Sequence, residues 1–268
     1  MTDPARKREA FRRLHESGCF VIPNPWDVGS ARYLARLGFM ALATTSSGFA
    51  WSRGRADNGI AVEDALRHFE DVARSVDIPV NGDFEGGFAT DPSQVGANVR
   101  RAVATGIAGI SIEDSTGDAA RPLFGAALAA ERVQAAREAV AGTGVLLTAR
   151  SEGFIVGRPD LEETLRRLTA YAGAGADCLY APGIKTAEEI AAVVRAVAPK
   201  PVNVLVGGPH TTVAELTRLG VRRISVGGAL ARTAWGGFMI AANEIAREGT
   251  FRGLATAAPF AEVNGLFE

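Results

Sequence analysis

Three short phrases place charges where apolar runs stop: NGDFEGG at 81–87, ISIED at 110–114 and LLTARSE at 146–152. Side chains on an extended strand alternate faces, so Asp83 and Glu85 are expected on one side and Phe84 on the other. Two carboxylates about 5–6 Å apart repel by roughly 3 kcal/mol at an effective dielectric near 20, which calls for a positive group between them. Together with Glu113, and with no His or Cys cluster beside them, they suit a hard divalent cation with oxygen ligands, Mg²⁺ or Mn²⁺. One such acid alone would read as a helix cap or a surface ion pair; three on neighbouring strands favour the metal. Arg150 ends an apolar run, and an isolated guanidinium there needs an anion. That anion is either one of the acids or a substrate carboxylate or enolate. TTSSGF at 44–49 reads as a turn whose backbone N–H groups and small hydroxyls can receive an anion, glycine allowing the close approach. GGPH at 207–210 and VGG at 226–228 read as phosphate-accepting or simply tight turns, and His15 and His210 have no partners at metal-ligand spacing.

The elements that must hold these residues follow from periodicity. Apolar, β-rich tracts at 19–23, 40–45, 79–85, 109–114, 145–151, 178–182, 201–207 and 223–228 alternate with amphipathic helical patterns over 28–38, 61–76, 91–106, 126–142, 160–175, 186–199 and 212–220. Strict alternation implies parallel strands with crossover helices, and eight such units close into a (β/α)8 TIM-type barrel of the α/β class. No linker interrupts the pattern, so residues 1–268 are expected to form one barrel domain, with 229–268 as a C-terminal helical region. Barrels of this kind keep their chemistry at the C-terminal strand ends. Asp27, Ser46, Ser47, Gly48, Asp83, Glu85, Glu113, Asp114, Arg150, Glu152 and Asn203 all fall there.

With 268 residues, a net charge of −1 and 47% hydrophobic residues, the chain has ample core and no electrostatic footprint for nucleic acid or an anionic membrane. Its charged N-terminus lacks the apolar core of a secretory signal, and no apolar run reaches spanning length, so a cytoplasmic protein is expected. Cys19 and Cys178 are far apart and read as reduced thiols.

Taken together, PNPWD (23–27), TSSGF (45–49), DFEGG (83–87), IED (112–114), TARSEG (148–153) and PVN (201–203) resemble the isocitrate lyase and phosphoenolpyruvate mutase superfamily. The resemblance implies a Mg²⁺-dependent enzyme acting on small 2-oxo or 2-hydroxy carboxylates through an enolate. By position it implies Asp83 as metal ligand, with Glu85 and Glu113 on metal-bound waters. Ser47, Gly48 and Phe49 would receive the substrate carboxylate, Asn203 would line the pocket, Asp57 would be the acid of a gating segment, and Arg150 would steady the enolate oxygen. It also implies a homo-oligomer, a dimer of dimers whose last helix is exchanged between barrels. Two departures stand out. Glu85 replaces an Asp common in the superfamily, and the strand-4 loop DSTGDAARPLFG (114–125) has none of the Cys, Lys and His of the isocitrate lyases. A cysteine acid for a departing succinate is therefore missing, which leaves decarboxylation or other C–C cleavage of an oxaloacetate-like diacid as the first expectation. C–P chemistry on phosphonopyruvate, with Arg53, Arg55 and Asn58 as the phosphonate grip, is the alternative, and a non-catalytic 2-oxo acid binder is a third. A phosphosugar aldolase lacks its Schiff-base lysine at a strand end.

Overall fold

The computed structural model describes residues 3–267. Eight parallel strands, β1 (Phe20–Ile22), β2 (Leu42–Ala43), β3 (Val80–Asp83), β4 (Gly109–Glu113), β5 (Leu146–Arg150), β6 (Cys178–Tyr180), β7 (Val202–Leu205) and β8 (Arg223–Ser225), pair in the order β1-β8-β7-β6-β5-β4-β3-β2. The Ala43 N–H donates to the Pro23 carbonyl at 3.1 Å across the remaining seam. The result is a nearly closed (β/α)8 barrel. Each expected strand tract is present, though shorter. The third stops at Asp83 because Glu85 turns left-handed, with φ 47°.

Period-two alternation sorts each strand into two faces. Val80, Ile110, Ile112, Leu147, Leu179, Val202, Val204 and Ile224 point outward into one apolar layer under the helices. Asn81, Asp83, Ser111, Glu113, Arg150, Tyr180, Asn203, Arg223 and Ser225 point inward and line a central cavity. A tract that looks simply hydrophobic in sequence is thus an apolar outer row supporting a polar inner one. Gly82 faces outward against Phe69, where a Cβ would lie 2.7 Å from the ring, so only glycine fits.

The helices are α1 (Pro4–Leu14), α2 (Val28–Arg36), α3 (Ser46–Ser52), α4 (Val62–Ser75), α5 (Pro92–Ala104), α6 (Ala126–Val140), α7 (Leu161–Gly173), α8 (Ala187–Val197), α9 (Val213–Arg218), α10 (Ala229–Glu248) and α11 (Phe260–Asn264). Asp27, Asp91, Asp160, Thr186 and Thr212 cap α2, α5, α7, α8 and α9 through their side-chain oxygens. Asp27, one of the acids at a strand end, therefore serves α2, with Ser30 N–H donating to it at 2.7 Å.

Helix α1 was not apparent in the sequence, where PARKREAFRRL reads only as a charged stretch. It covers the N-terminal mouth of the barrel, and its charges explain themselves there. Lys7 Nζ donates to the Ala73 and Val76 carbonyls at the end of α4 (2.7 and 2.6 Å), and Arg8 donates to the carbonyls of Val103, Ile107 and Thr143. Lone carbonyls at helix ends are satisfied by these donors, while Phe11 seals the small apolar cluster inside.

Candidate active site

A cavity of about 250 Å³ opens at the C-terminal strand ends. At its wall Arg150 is held by three acids: Asp83 Oδ1 at 2.7 Å, Glu152 Oε1 at 2.8 Å and Glu113 Oε2 at 3.2 Å. Of the two anion sources open to Arg150, the protein itself thus supplies one. Three acids around one guanidinium leave excess negative charge, and the ionisation equilibria reflect it. Burial drives the Glu113 carboxyl well above the ordinary range against the opposing pull of Arg150, and burial raises Glu152 as well. Burial also works against the charge on Arg150, but Glu152, Glu113 and Asp83 outweigh it and keep the guanidinium ionised.

Glu85 stands differently from expectation. Since β3 ends at Asp83, strand alternation does not carry Glu85 into this cavity; it is buried between two neighbouring clefts. Its Oε1 has no hydrogen-bond partner, and burial, then the charges of Asp83 and Asp57, lift its pKa to about 8. Among the described residues, no three His, Cys, Asp or Glu side chains converge as a ready ligand group, because Arg150 lies between the acids. The donor set nevertheless fits a hydrated hard cation. All donors are oxygens, Mg²⁺ keeps several waters on one or two carboxylates, and the unpartnered Glu85 oxygen is an acceptor waiting for a donor such as a metal-bound water.

TTSSGF forms the first turn of α3 rather than an open anion-binding turn. The Gly48 N–H donates to Thr45 Oγ1 at 3.4 Å and the Phe49 N–H to the Thr45 carbonyl at 3.0 Å. Gly48 lies behind the wall, where a Cβ would come within 2.9 Å of Trp26, and Phe49 stacks on His68 with ring centroids 4.0 Å apart. Ser46 donates to Asp83 Oδ2 through both its N–H and its hydroxyl (3.0 and 2.9 Å), so the anion at this turn is the Asp83 carboxylate. Ser47 does line the cavity, its hydroxyl 3.1 Å from that of Thr45. Asp57 lines the mouth on an exposed loop, and desolvation together with the Asp83 charge raises its pKa. Asn203 lines the cavity but is fully buried, with its amide engaged by Arg223 and Ser225.

Four further groups have tasks that composition and spacing do not signal. Asp114 is buried and accepts from Tyr171 Oη (2.6 Å), Arg167 Nη1 (3.0 Å) and the Glu152 N–H (2.8 Å), fixing the backbone that presents Glu152 to Arg150. Asn24 of the PNPWD phrase accepts from the N–H groups of Val226 and Gly227 (both 2.9 Å), clasping the strand-1 and strand-8 loops together. Arg132 donates to the carbonyls of Gly86, Ala89 and Thr90 and lies 3.8 Å from the Phe124 ring centroid, joining the strand-3 and strand-4 loops. Tyr180, on the strand beside Arg150, completes the inner wall, the Arg150 Cζ 5.2 Å from its ring centroid.

The model of the phosphoenolpyruvate phosphomutase family matches residues 11–246. The chain belongs to that family. Its fold and length agree closely with a Burkholderia cenocepacia J2315 protein named provisionally as a lyase/mutase, with 49% identity, TM-score 0.95, and 98% of this chain and 97% of the other covered. An uncharacterized protein of Mycobacterium tuberculosis H37Rv is 35% identical over 221 residues, 81% of each chain. Similarity extends at 25% identity to 2,3-dimethylmalate lyase (TM-score 0.84; 99% and 95% covered) and to an oxaloacetate decarboxylase of Rhodopseudomonas palustris BisB18 (97% and 89% covered). The family thus includes lyases and mutases of small carboxylates. No helix among the described residues is long and apolar enough to cross a membrane.

Proposed function

We propose that this family member is a Mg²⁺-dependent lyase or decarboxylase of a small 2-oxo or 2-hydroxy dicarboxylate, with oxaloacetate-like acids first. The observation that carries the reading is the part-buried Arg150, ringed by Asp83, Glu113 and Glu152 at the wall of a small polar cavity. Asp83 would hold the metal, and Glu85 and Glu113 would hold its waters. Bound there, Mg²⁺ supplies Lewis-acid polarisation of a 2-oxo group.

The chain's own residues supply the rest. Two of the five N–H donors of Arg150 are hydrogen-bonded to Glu152 and Asp83, and Nη2 forms an ion pair with Glu113, which leaves at least two for a substrate oxygen that gains charge as the adjacent bond breaks. The Ser47 hydroxyl would orient a carboxylate at the rim, and Asp57 on the mouth loop would guard water access. Decarboxylation suits this inventory because departing CO₂ needs no proton, whereas a departing carbanion does. The strand-4 loop supplies no Cys, Lys or His for such a proton. Two relatives named for dicarboxylate chemistry, the dimethylmalate lyase and the oxaloacetate decarboxylase, support the same substrate class.

Phosphonopyruvate chemistry draws less support, since the exposed Arg53 and Arg55 lie off the cavity and only Asn58 of that grip lines it. The test is a panel of oxaloacetate, 2-methylisocitrate, 2,3-dimethylmalate and phosphonopyruvate with Mg²⁺, following pyruvate, succinate and phosphate. Turnover of oxaloacetate or dimethylmalate, abolished by EDTA, is the expected result; phosphate release from phosphonopyruvate alone would replace the proposal with C–P chemistry, and tight binding without product would make the chain a 2-oxo acid binder.

Assembly belongs to the same proposal. Phe238 and Ile240 of α10 are 61% and 70% exposed, with Trp235 and Met239 beside them. An apolar run of this size on a helix beyond the barrel supports exchange of α10 between copies of the chain.

A further inference from the structure

A directed chain of hydrogen bonds crosses the cavity floor. Arg223 is 3% exposed and has no carboxylate partner among the described residues; its Nε donates to Asn203 Oδ1 at 2.8 Å. A guanidinium can only donate, so this contact fixes which end of the Asn203 amide is oxygen. Asn203 Nδ2 must then donate, and it does so to Ser225 Oγ at 2.9 Å. Ser225, receiving that proton, turns its own hydroxyl toward Tyr180 Oη in a long contact of 3.5 Å. The phenol is thereby an acceptor within the protein, and its own proton has no acceptor among the described residues.

Tyr180 stands in register with Arg150 on the neighbouring strand, and both side chains line the cavity. A free phenolic donor next to a guanidinium with two free N–H groups is the arrangement an oxygen anion requires. We infer that Tyr180 touches the substrate, donating a hydrogen bond to the oxygen that becomes anionic on the 2-oxo carbon, with Arg223, Asn203 and Ser225 as positioning residues. The inference rests on the dicarboxylate reading above and adds a residue and a direction to it. Burial raises the Tyr180 pKa to about 12, so the proton stays in place at neutral pH. It also gives Asn203 a different task from substrate contact: it relays orientation from Arg223 to the phenol.

The test compares wild type, Tyr180→Phe and Ser225→Ala on whichever panel substrate turns over, together with calorimetric titration of oxalate, a planar dianion shaped like the enolate. Tyr180→Phe should lower kcat about 100-fold with KM little changed, the usual cost of one oxyanion donor, and weaken oxalate while thermal unfolding stays at the wild-type midpoint. Ser225→Ala, which only releases the phenol's orientation, should lower kcat by a smaller factor with KM likewise little changed. A Tyr180→Phe enzyme with wild-type kcat and oxalate affinity overturns the inference and leaves the lyase reading standing. An impaired Tyr180→Phe beside an unaffected Ser225→Ala overturns the positioning chain. A wild type that turns over nothing in the panel and ignores oxalate overturns the dicarboxylate reading and the Tyr180 role with it.

Discussion

Arg150 Nη1 lies 2.7 Å from Asp83 Oδ1, joining β5 to β3 across the intervening β4, both side chains only 15% exposed. The pair sits where the barrel's inner polar row meets its mouth, so it is both a structural tie and the centre of the proposed chemistry. Those two roles separate on substitution. Arg150→Met leaves Asp83, Glu113 and Glu152 without their cation, and breaking a buried pair costs about 3–5 kcal/mol unless the acids take up protons. Urea unfolding of Arg150→Met should therefore show a marked loss of stability at pH 8 that shrinks toward pH 5, while kcat falls by roughly 10²–10³ at either pH. Stability loss without loss of turnover would confine Arg150 to a structural role.

Asp114 is the anchor beneath that centre. With Tyr171, Arg167 and the Glu152 N–H all donating to it, Asp114→Ala should cost about 3 kcal/mol by leaving the buried Tyr171 hydroxyl and Glu152 N–H without an acceptor, while Arg167 keeps its ion pair with Glu163 at 2.6 Å. Tyr171→Phe removes one neutral donor and should cost about 1–2 kcal/mol. Denaturant midpoints at constant slope check both, and equal effects from the two variants would contradict the assignment of Asp114 as the hub.

His68 sets a pH limit. Burial lowers its pKa from 6.5 to about 4 where it stacks on Phe49. Because the folded-state value is depressed, the unfolded chain takes the proton first as pH falls, so acid favours unfolding between about pH 6.5 and 4, and above that window the site is neutral in both states. Across the full window the effect is about 3 kcal/mol. His68→Phe keeps the stacked ring and removes the titration, so its stability relative to wild type should improve steadily from pH 7 to pH 4.5. A pH-independent difference would contradict this.

The barrel was legible because its signal is periodic: inward and outward residues alternate on every strand, and the helices between them carry one apolar face. Legibility stopped where context decides. Glu85 seemed paired with Asp83 by strand alternation, but a left-handed backbone ends the strand between them. TTSSGF has the composition of a turn, yet Thr45 caps it into helix. Lys7 and Arg8 look solvated until the helix ends they serve are folded beside them. Tyr180 carried a readable sign, the same inward parity as Cys178 two residues earlier, but nothing in CLYAP shows that Arg223 directs its proton.

The apolar face of α10 predicts assembly. Light scattering should give a multiple of the 28.0 kDa chain, and Phe238→Ser with Ile240→Ser should shift it toward the monomer. A wild type that remains monomeric at high concentration would contradict helix exchange.

The proposed role of the Asp83–Arg150 site is Mg²⁺-dependent cleavage of a 2-oxo dicarboxylate. The most direct measurement is pyruvate release from oxaloacetate with Mg²⁺, corrected for the rate Mg²⁺ gives alone, in wild type and Asp83→Ala, with and without EDTA. Turnover by wild type that EDTA removes and Asp83→Ala lacks is the expected result; equal turnover by Asp83→Ala with unchanged EDTA sensitivity would contradict this role for Asp83.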